Sequence, residues 1–236
     1  MRLLSAFRFQ LVLQFRHGFY YAYAVVCALY IALLLLFEPG LRSQAAAFVI
    51  FSDPAVLGFF FIGGIILLEK DENTLQNLFV TPIRTGEYVI AKDISLSLLA
   101  VLSSGIIAAA AVGFNANWAM LLTGVLLTSV VFIHIGIAAV SRIKSLNKYM
   151  LSAFVYMIPL FAPILDYYGI VPFWGFRLFP TWASITLVGG ALSPVSPPPG
   201  DIVLAYGVLA GWAVLSYFWA VNWIERYVIG RKGGRA

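Results

Sequence analysis

Long apolar runs constrain this chain more than anything else in it. Residues 19–37, 94–114, 149–165 and 202–224 carry no charged side chain. Residues 45–68 carry only Asp53, and residues 118–141 only His134. A helix crosses the hydrocarbon core of a bilayer with about 20 mostly apolar residues, so each run is a candidate span. Only 11 % of the chain is charged and 62 % is hydrophobic, against about 25 % charged in a soluble domain. Such a chain cannot build a water-facing surface, so its solvent is a lipid bilayer. The expected fold is an all-α membrane protein with six transmembrane helices, a single transmembrane domain over 1–236.

Two further elements fit around the spans. Residues 167–192 are apolar but broken by Pro172, Pro180 and glycines, with Arg177 in the middle. Irregular backbone survives at membrane depth only where protein or water covers it, so this stretch reads as a re-entrant element between the fifth and sixth spans; a seventh span is the alternative. The first 18 residues are too short and too charged to cross. Leu4, Phe7, Leu11 and Phe15 share a helical face, with Arg2, Ser5, Arg8 and Arg16 broadly opposite, as in an interfacial helix or a plain basic flank. With six spans, thirteen of the fifteen Lys and Arg residues fall on the side of the termini, leaving Arg42 and Arg177 opposite. By the positive-inside rule both termini are cytoplasmic. A seventh span would move the basic tail outside. The net charge of +5 therefore calls for no nucleic acid. The lone Cys27 allows no internal disulfide and no zinc spacing, and the first apolar run is too long for an ordinary signal peptide. Residues 193–201, SPVSPPPGD, form a proline-stiffened outer loop.

Catalytic motifs are absent. There is no Walker sequence, no HExxH and no GxSxG. His134 and Asp53 are ionisable groups within spans, which mark function by default. His134 equally suits a neutral ring bonded to a neighbouring helix. Asp53, followed by Pro54, equally suits the cap of a broken helix.

The charged exception is LEKDENTLQNLFVTPIRTGEYVIAKD, residues 68–93. Glu69, Asp71 and Glu72 precede Leu75, Leu78 and Phe79, whose spacing makes one apolar edge. The acids suit the first turn of a helix over 69–81, and Thr81-Pro82 stops it. Three acids beside an anionic leaflet are unfavourable, so a protein groove is the better receiver. Glu69 and Glu72 are placed to pair with basic residues of the 142–148 loop or of the N-terminal helix, and Lys92 to snorkel at the start of the third span.

This segment resembles the loop after the second span in ABC exporter permeases of the type-2 family, which read roughly E-R-E-x-G-T-L-x-x-L-x-x-[ST]-P-[LI] and then a lysine. Glu69, Asp71, Thr74, Leu75, Leu78, Thr81, Pro82, Ile83 and Lys92 match. Asn73 stands where the family has glycine, which puts that glycine's helix-terminal or loop role in question. The six spans, the interfacial helix and a broken element before the last span, VPFWGFRLFPTW with Pro180, are similar too. The compact size is similar to that of small drug-export permeases, including those assigned to fluoroquinolone export. The resemblance implies a coupling helix that docks on a separate ABC ATP-binding subunit, with Thr74, Leu75, Leu78 and Phe79 as its edge. This chain then binds no cofactor, and ATP and Mg sit on the partner. It also implies a second permease copy, identical or a sister, and a bacterial or archaeal inner membrane. Phe51, Phe59, Phe60, Phe61, Tyr156 and Met157 are candidates to line the path. Pro159 and Pro163 permit kinks in the fifth span.

Three functions remain open on this reading. The first is an export permease for a hydrophobic or amphipathic molecule, powered in trans. The second is an ABC-linked membrane subunit that transmits motion without transport. The third is a self-contained carrier or membrane enzyme, for which Asp53 or His134 would be essential.

Overall fold

The computed structural model describes residues 2–53, 55, 58–75 and 83–230, and every regular element among these is helical. Ten α-helices follow in order: α1 (Arg2–Arg16), α2 (Phe19–Leu35), α3 (Pro39–Ser52), α4 (Gly58–Asp71), α5 (Thr85–Val112), α6 (Trp118–Ser141), α7 (Leu146–Phe161), α8 (Ile164–Tyr167), α9 (Pro180–Leu192) and α10 (Pro199–Ile224). Their ends carry local signals. Pro180 and Pro199 open α9 and α10, where a missing N–H costs nothing. Asn117 caps α6 by accepting from the Met120 amide. Glu87 reaches back to the Arg84 amide at 2.9 Å and starts α5.

Among the described residues, four helices are long and apolar enough to cross a membrane: Thr85–Asn115, Trp118–Ser141, Leu146–Tyr167 and Pro199–Val228. The pair Ser5–Arg16 and Phe19–Leu35 passes the same test together, bent by 66°. Gly18, at φ 77°, supplies that corner. The chain is a multi-pass helical membrane protein. In its second apolar run α3 ends at Ser52 and α4 begins at Gly58, and Asp53 and Ala55 between them are π-helical. Pro54 lies outside the described residues.

α6 is the central post, and every residue from Val131 to Ser141 is buried. It touches α4, α5, α9 and α10. Small residues bring the helices close. A Cβ on Gly136 would stand 2.5 Å from Ile62 Cγ2 and 3.1 Å from the Phe59 carbonyl oxygen. One on Gly63 would overlap the Tyr149 ring. In lipid, such contacts hold helices together because burial of apolar surface no longer discriminates. α9 is buried along its whole length. It runs antiparallel to α6: Ser184 bonds Thr128 at 2.6 Å, Leu187 meets Gly124, and the Ala191 carbonyl accepts from the Asn117 amide at 2.9 Å.

The contacts sort the bundle into two ends. One end gathers the C-termini of α1, α4, α6 and α10 and the start of α5. The other gathers the α2–α3 turn, the α5–α6 turn, α8 and the C-terminus of α9.

Candidate functional site

The charged stretch lies at the first of these ends, and its helix differs from expectation. Glu69 and Asp71 do not sit in the first turn of a helix over 69–81. They sit in the last turn of α4. Asn73 takes the left-handed conformation, φ 58°, and a new helical turn begins at Thr74. Asparagine is, after glycine, the residue that best tolerates this geometry at a helix end, so Asn73 fills the role its glycine counterpart would.

A carboxylate at a helix C-terminus faces an unfavourable dipole, and Glu69 is 1 % exposed. Its partners compensate. Lys92 Nζ donates to Glu69 Oε1 at 2.7 Å, Gln10 Nε2 donates to the same oxygen at 3.1 Å, and the Tyr88 hydroxyl donates to Oε2 at 2.6 Å. Lys92 also donates to Gln10 Oε1 at 2.8 Å. The triangle Gln10–Glu69–Lys92 thus closes across α1, α4 and α5. Lys92 is 0 % exposed and does not snorkel. α5 starts at Thr85, so Lys92 is two turns inside the helix, and the buried carboxylate supplies what water would. A buried pair persists when its remaining donors and acceptors are satisfied in this way. One turn on, Gln14 donates to Ser95 Oγ at 2.9 Å.

The N-terminal helix therefore inserts a polar edge. Ala6, Gln10, Leu13 and Gln14 are its buried face. Phe9, Val12 and Phe15 stay exposed. Hydropathy alone selects the face of Phe7, Leu11 and Phe15; the buried polar partners on α4 and α5 select the glutamines instead.

Lys70 reaches the opposite side of α4. Its ammonium donates to the carbonyls of Val140, Ser141 and Ile143 at 2.9, 3.2 and 3.0 Å, capping α6 where a cation is favoured. Glu72 pairs with Arg16 at 3.7 Å and approaches His17 at 3.5 Å. The expected pairing with the N-terminal helix is present for Glu72, and Glu69 meets Gln10 of that helix. The 142–148 loop is met by Lys70 instead of by the acids. Arg142 lies over Trp223 and Tyr227, at 3.9 and 4.3 Å from their ring centroids, joining α6 to the end of α10.

Asp93, next to Lys92, builds a second buried chain. Its Oδ2 meets His134 Nε2 at 2.9 Å, and His134 Nδ1 meets Ser216 Oγ at 3.0 Å. His134 is thus a ring bonded to two neighbouring helices. The Lys92–Asp93 dipeptide ties α5 to α1 and α4 on one side and to α6 and α10 on the other. Asp53 is also fully buried, between α3 and α4, and accepts from Ser103 Oγ of α5. Its carboxylate works across helices, and no bond from it to the start of α4 is present among the described residues.

The remaining expected residues separate. Asp71 and Asn73 are exposed, Thr74 is half-buried, and Leu75 is 2 % exposed. Leu75 packs into the core and anchors the segment, so it cannot be a free docking edge. Leu78, Phe79 and Pro82 lie outside the described residues. Phe51 is buried between Phe132 and Phe161, and Phe59 stacks on Tyr149 at 5.4 Å. Phe60 packs on Tyr149 and Phe61 on Phe19 and Tyr23. Tyr156 and Met157 are half-buried. Pro159 sits inside α7, and Pro163 marks the break before α8. Arg177 faces Asp201 at 3.4 Å and Trp182 at 5.4 Å. Pro180 is buried at the start of α9.

At the far end, a polar cleft of about 1150 Å³ lies between α3, the end of α5, α8 and α9, lined by Arg42, Gln44, Asn115, Tyr167 and Tyr168. A second, of about 440 Å³, holds the Arg177–Asp201 pair. Tyr167 lines both. None of the six candidate path residues lines either cleft. Among the described residues, no cluster of His, Cys, Asp and Glu suits a metal ion.

These features define a class: a multi-pass helical membrane protein with a network of buried and paired charged side chains at one end, beside the turn after α4. Residues 1–232 match the fluoroquinolones export permease protein family, and the chain belongs to that family. It is 29 % identical over 235 residues to the fluoroquinolones export permease proteins of two strains of Mycobacterium tuberculosis, CDC 1551 and H37Rv, covering 98 % of this chain and 98 % of each relative.

Proposed function

We propose that this chain is the membrane-spanning half of an ABC drug exporter, driven by ATP hydrolysis on a separate subunit. The observation that carries the reading is the Gln10–Glu69–Lys92 triangle beside the EKDENTL turn. A push on the turn at 72–75 passes directly into α1, α4 and α5, and through Lys70 into α6.

On this reading α3 and α4 form one broken span, which brings the number of spans to six, with both termini in the cytoplasm. α1 lies at the membrane surface, with Phe9, Val12 and Phe15 toward lipid. Residues 167–192 form a re-entrant element ending in α9. The docking edge is Thr74 with Leu78 and Phe79, while Leu75 holds the edge to the bundle. Two copies, or this chain and a sister permease, complete the pathway. The cargo is an amphipathic drug of the fluoroquinolone kind, for which the relatives are named. The chain itself holds no cofactor, and ATP and Mg belong to the partner.

The test is a pull-down from native membranes through a C-terminal tag, comparing wild type with Leu78→Asp/Phe79→Asp at equal membrane levels. An ATP-binding subunit should accompany the wild type and be lost from the variant. A wild type that brings down no ATP-binding protein would overturn the proposal.

A further inference from the structure

Arg142 follows α6 at the end of the bundle that carries the charged turn. Its guanidinium lies over two rings of α10, Trp223 at 3.9 Å and Tyr227 at 4.3 Å, and donates to the Tyr227 hydroxyl. Trp219, Trp223 and Tyr227 touch edge to face, with centroids 5.4 and 5.5 Å apart, and so form a ladder along the helix. Leu215 continues the same row away from the end and is exposed. Both helices are long and apolar enough to span. The ladder therefore climbs out of the hydrocarbon to the level where Trp and Tyr gather at the membrane–water interface.

Stacking covers the faces of the guanidinium and leaves its edge, where all the N–H donors lie in one plane. Arg142 is exposed, and its Nη2 bond to Tyr227 is the one hydrogen bond its side chain makes among the described residues. Lys144 and Lys148 follow it in the chain and are exposed, and Arg226 is exposed with its guanidinium 5.6 Å from the Tyr227 centroid. No ion pair among the described residues includes any of these four cations. Glu225, the acid next to Arg226, is exposed and pairs with none of them. An oriented guanidinium with a free edge thus tops an aromatic and apolar row, with cations on both sides of it and no counter-charge. The ligand that suits such a corner is an anion with apolar chains.

We propose that this corner binds the head group of an anionic phospholipid, with the phosphate at the free edge of Arg142 and an acyl chain along Trp219 and Leu215. Arginine meets phosphate through paired N–H bonds, and basic residues at the end of a spanning helix draw anionic lipid. The row favours lipid over a soluble protein because it runs down α10 into the bilayer, where a soluble partner does not reach. The inference concerns the lipid around the chain and goes beyond its reading as a permease.

The experiment is native mass spectrometry of the delipidated full chain in detergent, titrated with phosphatidylglycerol and with phosphatidylcholine of the same acyl chains. The wild type should bind phosphatidylglycerol about 10-fold more tightly, which corresponds to about 1.4 kcal/mol. Arg142→Gln should bring the two affinities together. Arg8→Gln, which removes an exposed cation of α1, should keep the preference. Excess inorganic phosphate should not displace the lipid, because it lacks the chains; displacement would make this a site for free anions and overturn the proposal. The proposal would fail equally if the wild type holds the two lipids alike, since charge would then select nothing. It would fail if Arg8→Gln removes the preference as fully as Arg142→Gln, since net charge alone would then decide. A wild type that holds neither lipid would leave the corner to a protein partner and overturn it too. If Arg142→Gln does not fold, Arg226→Gln at an exposed position should lower the preference, and no change there would count against the site. The measurement needs neither ATP nor a partner subunit, so its outcome is separate from that of the pull-down.

Discussion

Replacing Lys92 with methionine tests the buried triangle most directly. Methionine keeps the length and apolar stem of lysine but removes the charge and the donors to Glu69 and Gln10. Glu69, 1 % exposed, would then retain only Gln10 and Tyr88 as donors. Removing one partner of a buried pair costs about 3–5 kcal/mol. The two surviving neutral donors place the expected cost near the lower figure, about 3 kcal/mol. The double variant Lys92→Met/Glu69→Gln removes both charges while leaving a side chain that still accepts from Tyr88. Its cost should fall to about 1 kcal/mol, since the loss of both members of a buried pair is often close to neutral. A double-mutant cycle with Glu69→Gln isolates the interaction. The assay is reversible unfolding in mixed dodecylmaltoside and dodecyl sulfate micelles, followed by tryptophan fluorescence. Were Lys92→Met to cost less than about 1 kcal/mol, with the double variant no better, Lys92 would have to reach water. The triangle would then not lock α1, α4 and α5 together.

Two further predictions concern backbone and packing. Asn73→Gly should leave stability unchanged or slightly raised, whereas Asn73→Val should lower it by about 1–2 kcal/mol, because a β-branched residue resists the left-handed conformation at φ 58°; the same unfolding assay reads both. Gly136→Ala should cost about 1–3 kcal/mol, because the added methyl meets Ile62 and the Phe59 carbonyl; Gly105→Ala, with nothing within 4 Å of the added carbon, is the control on a neighbouring helix and should be close to neutral.

Several expectations about particular residues changed for one reason. Lys92 and Asp93 lie just before the uncharged run that starts at residue 94, so a reading by run length places them outside the span. α5 begins at Thr85 instead, because buried charges can enter a helix when partners on other helices receive them. Asp93 was therefore missed as a partner of His134. The usable signal was its position: with α5 extended back to Thr85, Lys92 and Asp93 become charges within an apolar helix, and such charges require partners. Leu75 was assigned to the outer edge of its helix by i, i+3, i+4 spacing with Leu78 and Phe79. Spacing finds the apolar edge but not what covers it, and Leu75 is covered by the bundle itself.

What the amino-acid sequence by itself determined is the solvent and the elements. Apolar runs of spanning length fix a helical membrane protein, since a backbone in lipid must satisfy its own hydrogen bonds. The position of the charged turn and the similarity of its motif to export permeases were legible for the same reason: charges are scarce in such a chain, and the few that occur stand out. Only the tertiary structure decided which charges meet. Gln10, Glu69 and Lys92 are 59 and 23 residues apart along the chain, and Asp93, His134 and Ser216 lie 41 and 82 apart. No periodicity within one helix encodes such pairings. They follow from how α1, α4, α5, α6 and α10 pack, and from the free energy that compels a buried charge to find a partner.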